Sequence, residues 1–327
     1  MLCSAMELGW GDDHSGLVAL DPSLPLGKSL CDIATNSDIL DVKTPSNRWD
    51  YLSYIGLARE ITANLTDNSL VEPATPEKTY QNREVVKVND RKACTGFYLV
   101  KLSVKENSQS PKWLVDNLRA AGMRSINPVV DITNFVMLEY GQPSHAYDAK
   151  KLKGSLGVRF ASEGESLKTL DDKDIKLDTK DLVVVDNSGP VALAGVMGGK
   201  SIETDASTTE IVLEVANFDK TVTRRSALRH GIRTEASARF EKGLPLPLPH
   251  LAMDRIIGLL KQVCSAEIID SPTRQLFAPI TTRLLGMRVR KAEKFLGYKL
   301  DEKELISVLA LRGFKPHHFS LTKELRS

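Results

Sequence analysis

"DITNFVMLEYGQPSHAYD", residues 131–148, sets Thr133, Asn134, Glu139, Gln142 and His145 among Phe, Val, Met, Leu and Tyr. A plain core element has little use for so many hydrogen-bonding side chains, because each buried polar group needs a partner. A solvent-facing loop would not carry so much apolar surface. The mixture predicts a segment that packs against the core and also presents polar groups to something that fits between them.

Regular elements surround this stretch. "ACTGFYLVKLSV", residues 93–104, reads as a strand. "SPKWLVDNLRAAG", residues 110–122, predicts a helix capped by Ser110, with Pro111 at the first helical position. Leu114, Leu118 and Ala121 share its face, and Gly122 ends it. Downstream, "GVRFA", "LVVVD", "PVALAGV" and "EIVLEV" read as short strands separated by turns. Helices are expected over 221–230 and 234–242. After the "LPLPLP" of 244–249 comes an amphipathic helix with Ile256, Leu260 and Val263 on one side.

The flanks are less regular. Residues 1–30 read as short strands and turns broken by Gly9, Gly11, Gly16, Pro22, Pro25 and Gly27. Residues 31–66 hold a turn from Pro45 to Asp50 and then a helix with Leu52, Ile55 and Ala58 near helical spacing. Residues 67–90, polar and carrying Pro73 and Pro76, read as a linker, as do 266–280. Residues 281–327 hold two helical patterns, the second with Asp301 as N-cap and Gly313 just past its end, and finish on "FKPHHFSLTKELRS".

The chain has 327 residues, 42% hydrophobic and 26% charged, which fits a soluble globular protein of two or more domains. A net charge of +2 makes no global positive field, so any nucleic-acid surface must be local. Cys3, Cys31, Cys94 and Cys264 are scattered and form no CxxC pair, which fits a reduced, cytoplasmic chain better than a disulfide framework or a zinc site. No apolar run of membrane-spanning length occurs, and the first residues do not resemble a signal peptide.

Three further segments depart from core patterning. "LAGVMGG", residues 193–199, follows a strand, and Gly195, Gly198 and Gly199 permit close backbone approach or positive φ. It lacks the GK[ST] ending of a phosphate loop, and a tight strand-to-strand turn explains its composition equally well. In "IVLEVANF", alternation puts Glu214 on the face of Val212, so the carboxylate faces solvent on an edge strand, pairs with a base, or awaits a ligand's donor. Residues 223–243 carry Arg224, Arg225, Arg229, His230, Arg233 and Arg239, a cluster that can meet phosphates or pair with acids such as Glu235 and Glu241. No Ser/His/Asp arrangement, HExxH or other metal spacing is found, and a lone histidine such as His145 is more often structural than catalytic.

Taken in order, "SPKWLVDNLRAAGMRSINPVVDITNFVMLEYGQPSHAYD", "LAGVMGG", "VLE" and "LRHGIRTEASARFEKG" closely resemble the beta subunit of bacterial phenylalanyl-tRNA synthetase. "TPSNRWDYLSYIGLAREI" extends the likeness upstream, with one residue inserted relative to the family pattern. The resemblance implies an α+β fold: a mixed and antiparallel-sheet editing domain with packed helices over 91–265. It also implies the tail of an inserted oligonucleotide-binding region over 1–30, a helical/strand segment over 31–66 and a partial winged-helix-like domain over 281–327. Judged against the family, the chain is expected to be an excerpt, a truncated reading frame or one piece of a split gene.

In that family the alpha subunit activates the amino acid with ATP and Mg2+ within an α2β2 assembly. The resemblance therefore implies no cofactor or metal in this chain, an alpha subunit and tRNA(Phe) as partners, and no membrane. The activity implied for the chain is hydrolysis of tyrosine wrongly esterified to tRNA(Phe). An apolar slot rejects an added hydroxyl only weakly, on the order of 10²-fold, so a second site must use the hydroxyl as a positive signal. Carried over by motif, Glu214 accepts that hydroxyl with His145 beside it. Thr133 and Asn134 hold the amino-acid or ribose end, Gly195 and Gly198 leave room for substrate, and Thr234 and Ala236 complete the wall. No catalytic side chain is assigned, backbone N–H groups of 195–198 are the candidate oxyanion donors, and Arg224, Arg225, Arg229 and Arg233 are candidate phosphate contacts. A noncatalytic tRNA-binding and subunit-docking piece, or a free-standing factor editing in trans, would retain the same residues.

Overall fold

The computed structural model describes residues 3–4, 7–8, 16–20, 22, 24–29, 39–65, 69–73, 80–84, 86–282 and 284–316. The readings placed on Gly9, Gly11, Cys31, Pro76 and residues 317–327 lie outside the described residues.

The chain forms α1 (Tyr54–Thr62), β1 (Lys87–Val88), β2 (Cys94–Ser103), α2 (Lys112–Ala120), α3 (Pro128–Tyr140) and β3 (His145–Asp148). Next come β4 (Gly157–Phe160), β5 (Ser166–Lys168), β6 (Asp174–Lys176), β7 (Leu182–Asp186), β8 (Gly189–Leu193), β9 (Met197–Gly198) and β10 (Glu210–Phe218). The remainder is α4 (Lys220–His230), α5 (Glu235–Phe240), α6 (Leu248–Cys264), β11 (Glu267–Leu276), α7 (Val289–Leu296) and α8 (Glu302–Leu311).

This is an α+β fold. One sheet has four antiparallel strands in the order β11-β2-β10-β3, and a second has five in the order β1-β4-β7-β8-β9. In the second sheet β1 runs parallel to β4 and the other pairs are antiparallel. β5 and β6 form a separate hairpin.

α6 covers one face of the four-stranded sheet. Met253, Ile256 and Leu260 of α6 are fully buried, and α6 packs on β2, β10 and α3. Each such side chain taken from water contributes about 1.5–3 kcal/mol. Ile211, Leu213 and Val215 of β10 are fully buried on that side, so the alternate residues Glu214, Ala216 and Phe218 point the other way.

Polar groups fix where α3 begins. Asn127 caps it by accepting from the Val130 N–H at 3.0 Å, with Pro128 in the first turn. Fully buried Asp131 accepts from the Ile126 N–H at 2.8 Å and from the hydroxyls of Ser110 at 2.6 Å and Ser125. An acid is favoured at a helix N-terminus.

That bond corrects an expectation. Ser110 does not cap α2, because its hydroxyl is engaged by Asp131, and Pro111 occupies the N-cap position without a side-chain bond. Two expected linkers are also partly built into the domain. β1 pairs with β4, Gln81 bridges Thr273, and the Tyr80 hydroxyl donates to Asp254 at 2.7 Å. Residues 267–276 form β11, a full partner of β2. Their polar composition suits edge strands, which a reading by composition takes for linkers. The helix expected after 244–249 begins inside that stretch, at Leu248, since proline is tolerated in a first turn.

Candidate active site

A cavity of about 330 Å³ opens on the face of β10 away from α6. Its walls come from β10, from the β7–β8–β9 side of the second sheet, from α3 and from the start of α5. Thr133, Asn134, His145, Gly195, Gly198, Glu214, Thr234 and Ala236 all line it, although they come from five separate stretches of chain. Most of the remaining lining is apolar, including Met123, Met137, Leu170, Val184, Phe218 and Phe240.

Glu214 is the dominant feature. It does not lie on an edge strand: β10 is flanked by β2 and β3, where Glu214 pairs with Leu99 and His145. The carboxylate is buried at 5% exposure, and Oε2 accepts the Tyr147 hydroxyl. Burial raises its pKa to about 7, with the Tyr147 bond pulling the other way. Among the described residues no cation pairs with it.

His145 lies directly across the strand pair and meets the Tyr147 ring edge-on, with centroids 4.6 Å apart. Its imidazole keeps some surface open to the cavity, yet Nε2 is buried without a hydrogen-bond partner. Burial lowers its pKa to about 4, so at neutral pH the ring is uncharged. The neighbouring Ser144 Oγ is likewise buried and unpartnered on the cavity wall.

Both uses read for these glycines occur, a close approach at Gly198 and a positive φ at Gly195, and both residues line the cavity. A Cβ on Gly198 would lie 2.4 Å from His145 Cε1 and 2.8 Å from Nε2, so it is the histidine that needs this space. Gly195 has φ +69°, and its Cβ would crowd Phe240, Thr223 and Phe218 at 3.1–3.2 Å. The "LAGVMGG" stretch is thus both the tight turn between β8 and β9 and a wall of the cavity.

Two threonines have their hydroxyls committed elsewhere. Thr133 donates to the Val130 carbonyl at 2.7 Å. Thr234 caps α5 by accepting from the Ser237 N–H at 3.0 Å and donates to the Val196 carbonyl at 2.8 Å, tying α5 to the glycine turn. In the opening stretch, Glu139 pairs with Arg255 of α6 through bonds of 2.8 and 3.0 Å, and Gln142 donates to the carbonyls of Pro143 and Ala216. Asn134, Ser144 and His145 are the members of that stretch whose polar atoms are left to the cavity.

The arginine cluster divides. Arg229 is not a free phosphate contact: it pairs with fully buried Asp181, which also binds His230 Nε2 at 2.7 Å. Burial opposes ionisation of Asp181, but the Asp178 N–H and His230 hold its pKa below the usual range. Arg239 is buried, pairs with Glu235 and donates to the Leu52 carbonyl at 3.0 Å. Arg224, Arg225 and Arg233 are exposed, with no ion-pair partner among the described residues. Among those residues no group of three His, Cys, Asp or Glu could hold a metal ion. Among the described residues no helix is long and apolar enough to cross a membrane.

Sequence reading missed Tyr147 and Ser144. Tyr147 was within reach, since two residues on from His145 in an extended segment is the same face. Ser144 precedes the strand, and no periodicity marks it.

A family model described as B3/4 domain matches residues 93–265, more than half of the chain. The chain belongs to the B3/4-domain family, and its motifs' likeness to phenylalanine–tRNA ligase beta subunits is borne out by curated relatives. It is 36% identical over 319 residues to the phenylalanine–tRNA ligase beta subunit of Mannheimia succiniciproducens, covering 96% of this chain and 40% of that protein. Identity is 39% over 332 residues with the beta subunit of a Synechococcus strain, with the same coverages. For Geobacter sulfurreducens it is 37% over 330 residues, covering 98% of this chain and 40% of that protein. The chain thus spans about 40% of the length of these relatives. An N-terminal fragment of the phenylalanyl-tRNA synthetase beta-subunit from Pyrococcus horikoshii superposes with a TM-score of 0.39 at 14% identity, over 84% of this chain and 76% of that one. So remote a likeness carries no further argument.

Proposed function

We propose that the cavity is a proofreading site that hydrolyses tyrosine wrongly esterified to tRNA(Phe), and that the chain acts as part of a cytoplasmic phenylalanine–tRNA ligase with an alpha subunit. ATP and Mg2+ belong to that larger assembly, at the alpha subunit. The observation that carries this reading is a buried carboxylate, Glu214, opening into an otherwise largely apolar cavity of about 330 Å³ with no cation among the described residues to neutralise it. Small-molecule sites generally begin at about 300 Å³ and combine apolar walls with a few placed polar groups.

A tyrosine ring fits the apolar lining, and its hydroxyl donates to the Glu214 oxygen that Tyr147 does not use. With phenylalanine bound, that oxygen loses water and gains no donor, which costs about 1–3 kcal/mol and more for a charged group. Asn134, Ser144 and His145 Nε2 are the polar groups left to hold the amino-acid or ribose end. The ester is already activated, so hydrolysis needs a positioned water and oxyanion donors more than a strong nucleophile. The Val196 N–H is bound to the Leu193 carbonyl at 2.9 Å and is excluded, so the candidate oxyanion donors are the Gly195 N–H in the turn and those of Met197 and Gly198 beside it. Arg224, Arg225 and Arg233 are the candidate phosphate contacts.

Mixing the purified chain with tyrosyl-tRNA(Phe) and phenylalanyl-tRNA(Phe) tests this. Release of tyrosine alone, abolished or made unselective by Glu214→Ala, is the expected result. A docking role is the second reading, favoured by α7 and α8: none of their residues is buried, and Phe295 is 92% exposed. Release that begins only after the alpha subunit is added would support it.

A further inference from the structure

We propose that Tyr147 is a positioning residue for discrimination: its phenol engages Glu214 Oε2 and leaves Oε1 as the single open acceptor for a substrate hydroxyl. This rests on the proofreading reading of the same cavity. Two neighbouring strands fix the geometry. Glu214 and His145 are directly paired, and Tyr147 stands two residues along the same face of β3. Its ring is fully buried with His145 packed edge-on against it, and Glu214 Oε2 is the partner its hydroxyl is given.

A carboxylate with two open oxygens could turn about its last bond and meet a ligand in several poses. Anchored at one oxygen, it presents the other along one direction, and a ring without a hydroxyl finds no alternative partner there. The phenol also donates to the charged form, which favours ionisation of Glu214 against the effect of its burial. The titratable groups facing Glu214 are His145 and Tyr147 from β3, and the buried Cys94 thiol of β2, whose own ionisation Glu214 opposes. Glu235 lines the cavity from α5 but is paired with Arg239. His145 is neutral near pH 7, so Tyr147 is the group that opposes the effect of burial on the carboxylate.

The test compares the full chain with its Tyr147→Phe variant, which keeps the ring and its packing on His145. In the first measurement, Glu214 is titrated by 13C NMR of its carboxyl. The midpoint, about 7 in the parent, is expected to rise by about one pH unit. In the second, the ratio of tyrosine to phenylalanine released from tRNA(Phe) is followed between pH 6 and 9. The ratio is expected to fall about fivefold at pH 7, the change in ionised fraction for a midpoint moved from about 7 to about 8, and to recover as pH rises past the new midpoint. An unmoved midpoint overturns the proposal, as does a fall in the ratio that is the same at every pH.

A parent chain that releases neither amino acid would refute the proofreading reading by itself. The titration would still read the Tyr147–Glu214 coupling, and relative binding of tyrosinol and phenylalaninol by the two proteins would decide whether the anchored carboxylate discriminates. Equal preference in both proteins overturns the proposal. Should Tyr147→Phe unfold, Glu214→Gln in the otherwise unchanged chain, retaining full tyrosine preference, would overturn it too.

Discussion

Two buried glutamates lie on opposite sides of the four-stranded sheet and are treated differently. Glu139 of α3, 8% exposed, receives both arms of the Arg255 guanidinium from α6. Glu214 of β10, 5% exposed, receives one phenol and faces a cavity. The first is a closed ion pair that locks two helices together. The second is an acid held in an apolar setting with one oxygen uncommitted. Burial alone does not separate structure from function; what separates them is whether the protein supplies the whole set of partners.

The sharpest way to break this contrast is to remove the cation from the closed pair. Arg255→Ala leaves Glu139 buried without its counter-charge and is expected to destabilise the fold by about 3–5 kcal/mol in chemical denaturation. Replacing both partners by methionine is expected to recover most of that loss. A single-variant cost below about 1 kcal/mol, the range of exposed pairs, would mean that the two glutamates are not different in kind.

Removing the charge on the open side is expected to do the reverse. The folded-state pKa of Glu214 is raised from 4.5 to about 7, so the native protein holds this proton more tightly than the unfolded chain. Its contribution to stability is complete below about pH 4.5 and is lost as pH rises through 7. Glu214→Gln is therefore expected to stabilise the protein by about 3 kcal/mol above pH 8 and to do nothing at pH 4. Thermal melts at those two pH values check it. His145 works in the other direction. Its depressed pKa, about 4, makes stability fall as pH drops from about 6.5 towards 4.

Much of this was legible in residues 131–148 and 210–218, because a periodic segment states its own faces. Alternation put Glu214 opposite Ile211 and Leu213, and the polar excess near His145 marked a lined space. The partners of those polar groups were hidden, since pairing is decided by long-range contacts that composition does not carry. Glu139 finds Arg255 from 116 positions away, and Arg229 finds Asp181 from 48. For the same reason Ser110 read as a helix cap although Asp131 takes its hydroxyl. Residues 267–276 read as a linker because an edge strand needs no continuous apolar run.

The glycine turn gives a smaller test. Gly198→Ala drives a methyl group into His145 and is expected to destabilise by about 1–3 kcal/mol, the range for overpacking. If Gly198 serves only to leave room for substrate, stability will be unchanged and tyrosine release alone will fall.

The smallest expected effect separates two roles for Thr234. As a wall residue, its hydroxyl would touch substrate. In the structure the hydroxyl accepts from Ser237 N–H and donates to the Val196 carbonyl, which leaves it little capacity for a ligand. Thr234→Ala is expected to destabilise by about 1 kcal/mol through loss of the cap, and Thr234→Ser to restore it. KM for tyrosyl-tRNA(Phe) is expected to stay level in both. A raised KM in Thr234→Ala with unchanged melting would reverse the assignment, because a residue that holds only α5 and the turn in place has no route to binding that bypasses stability.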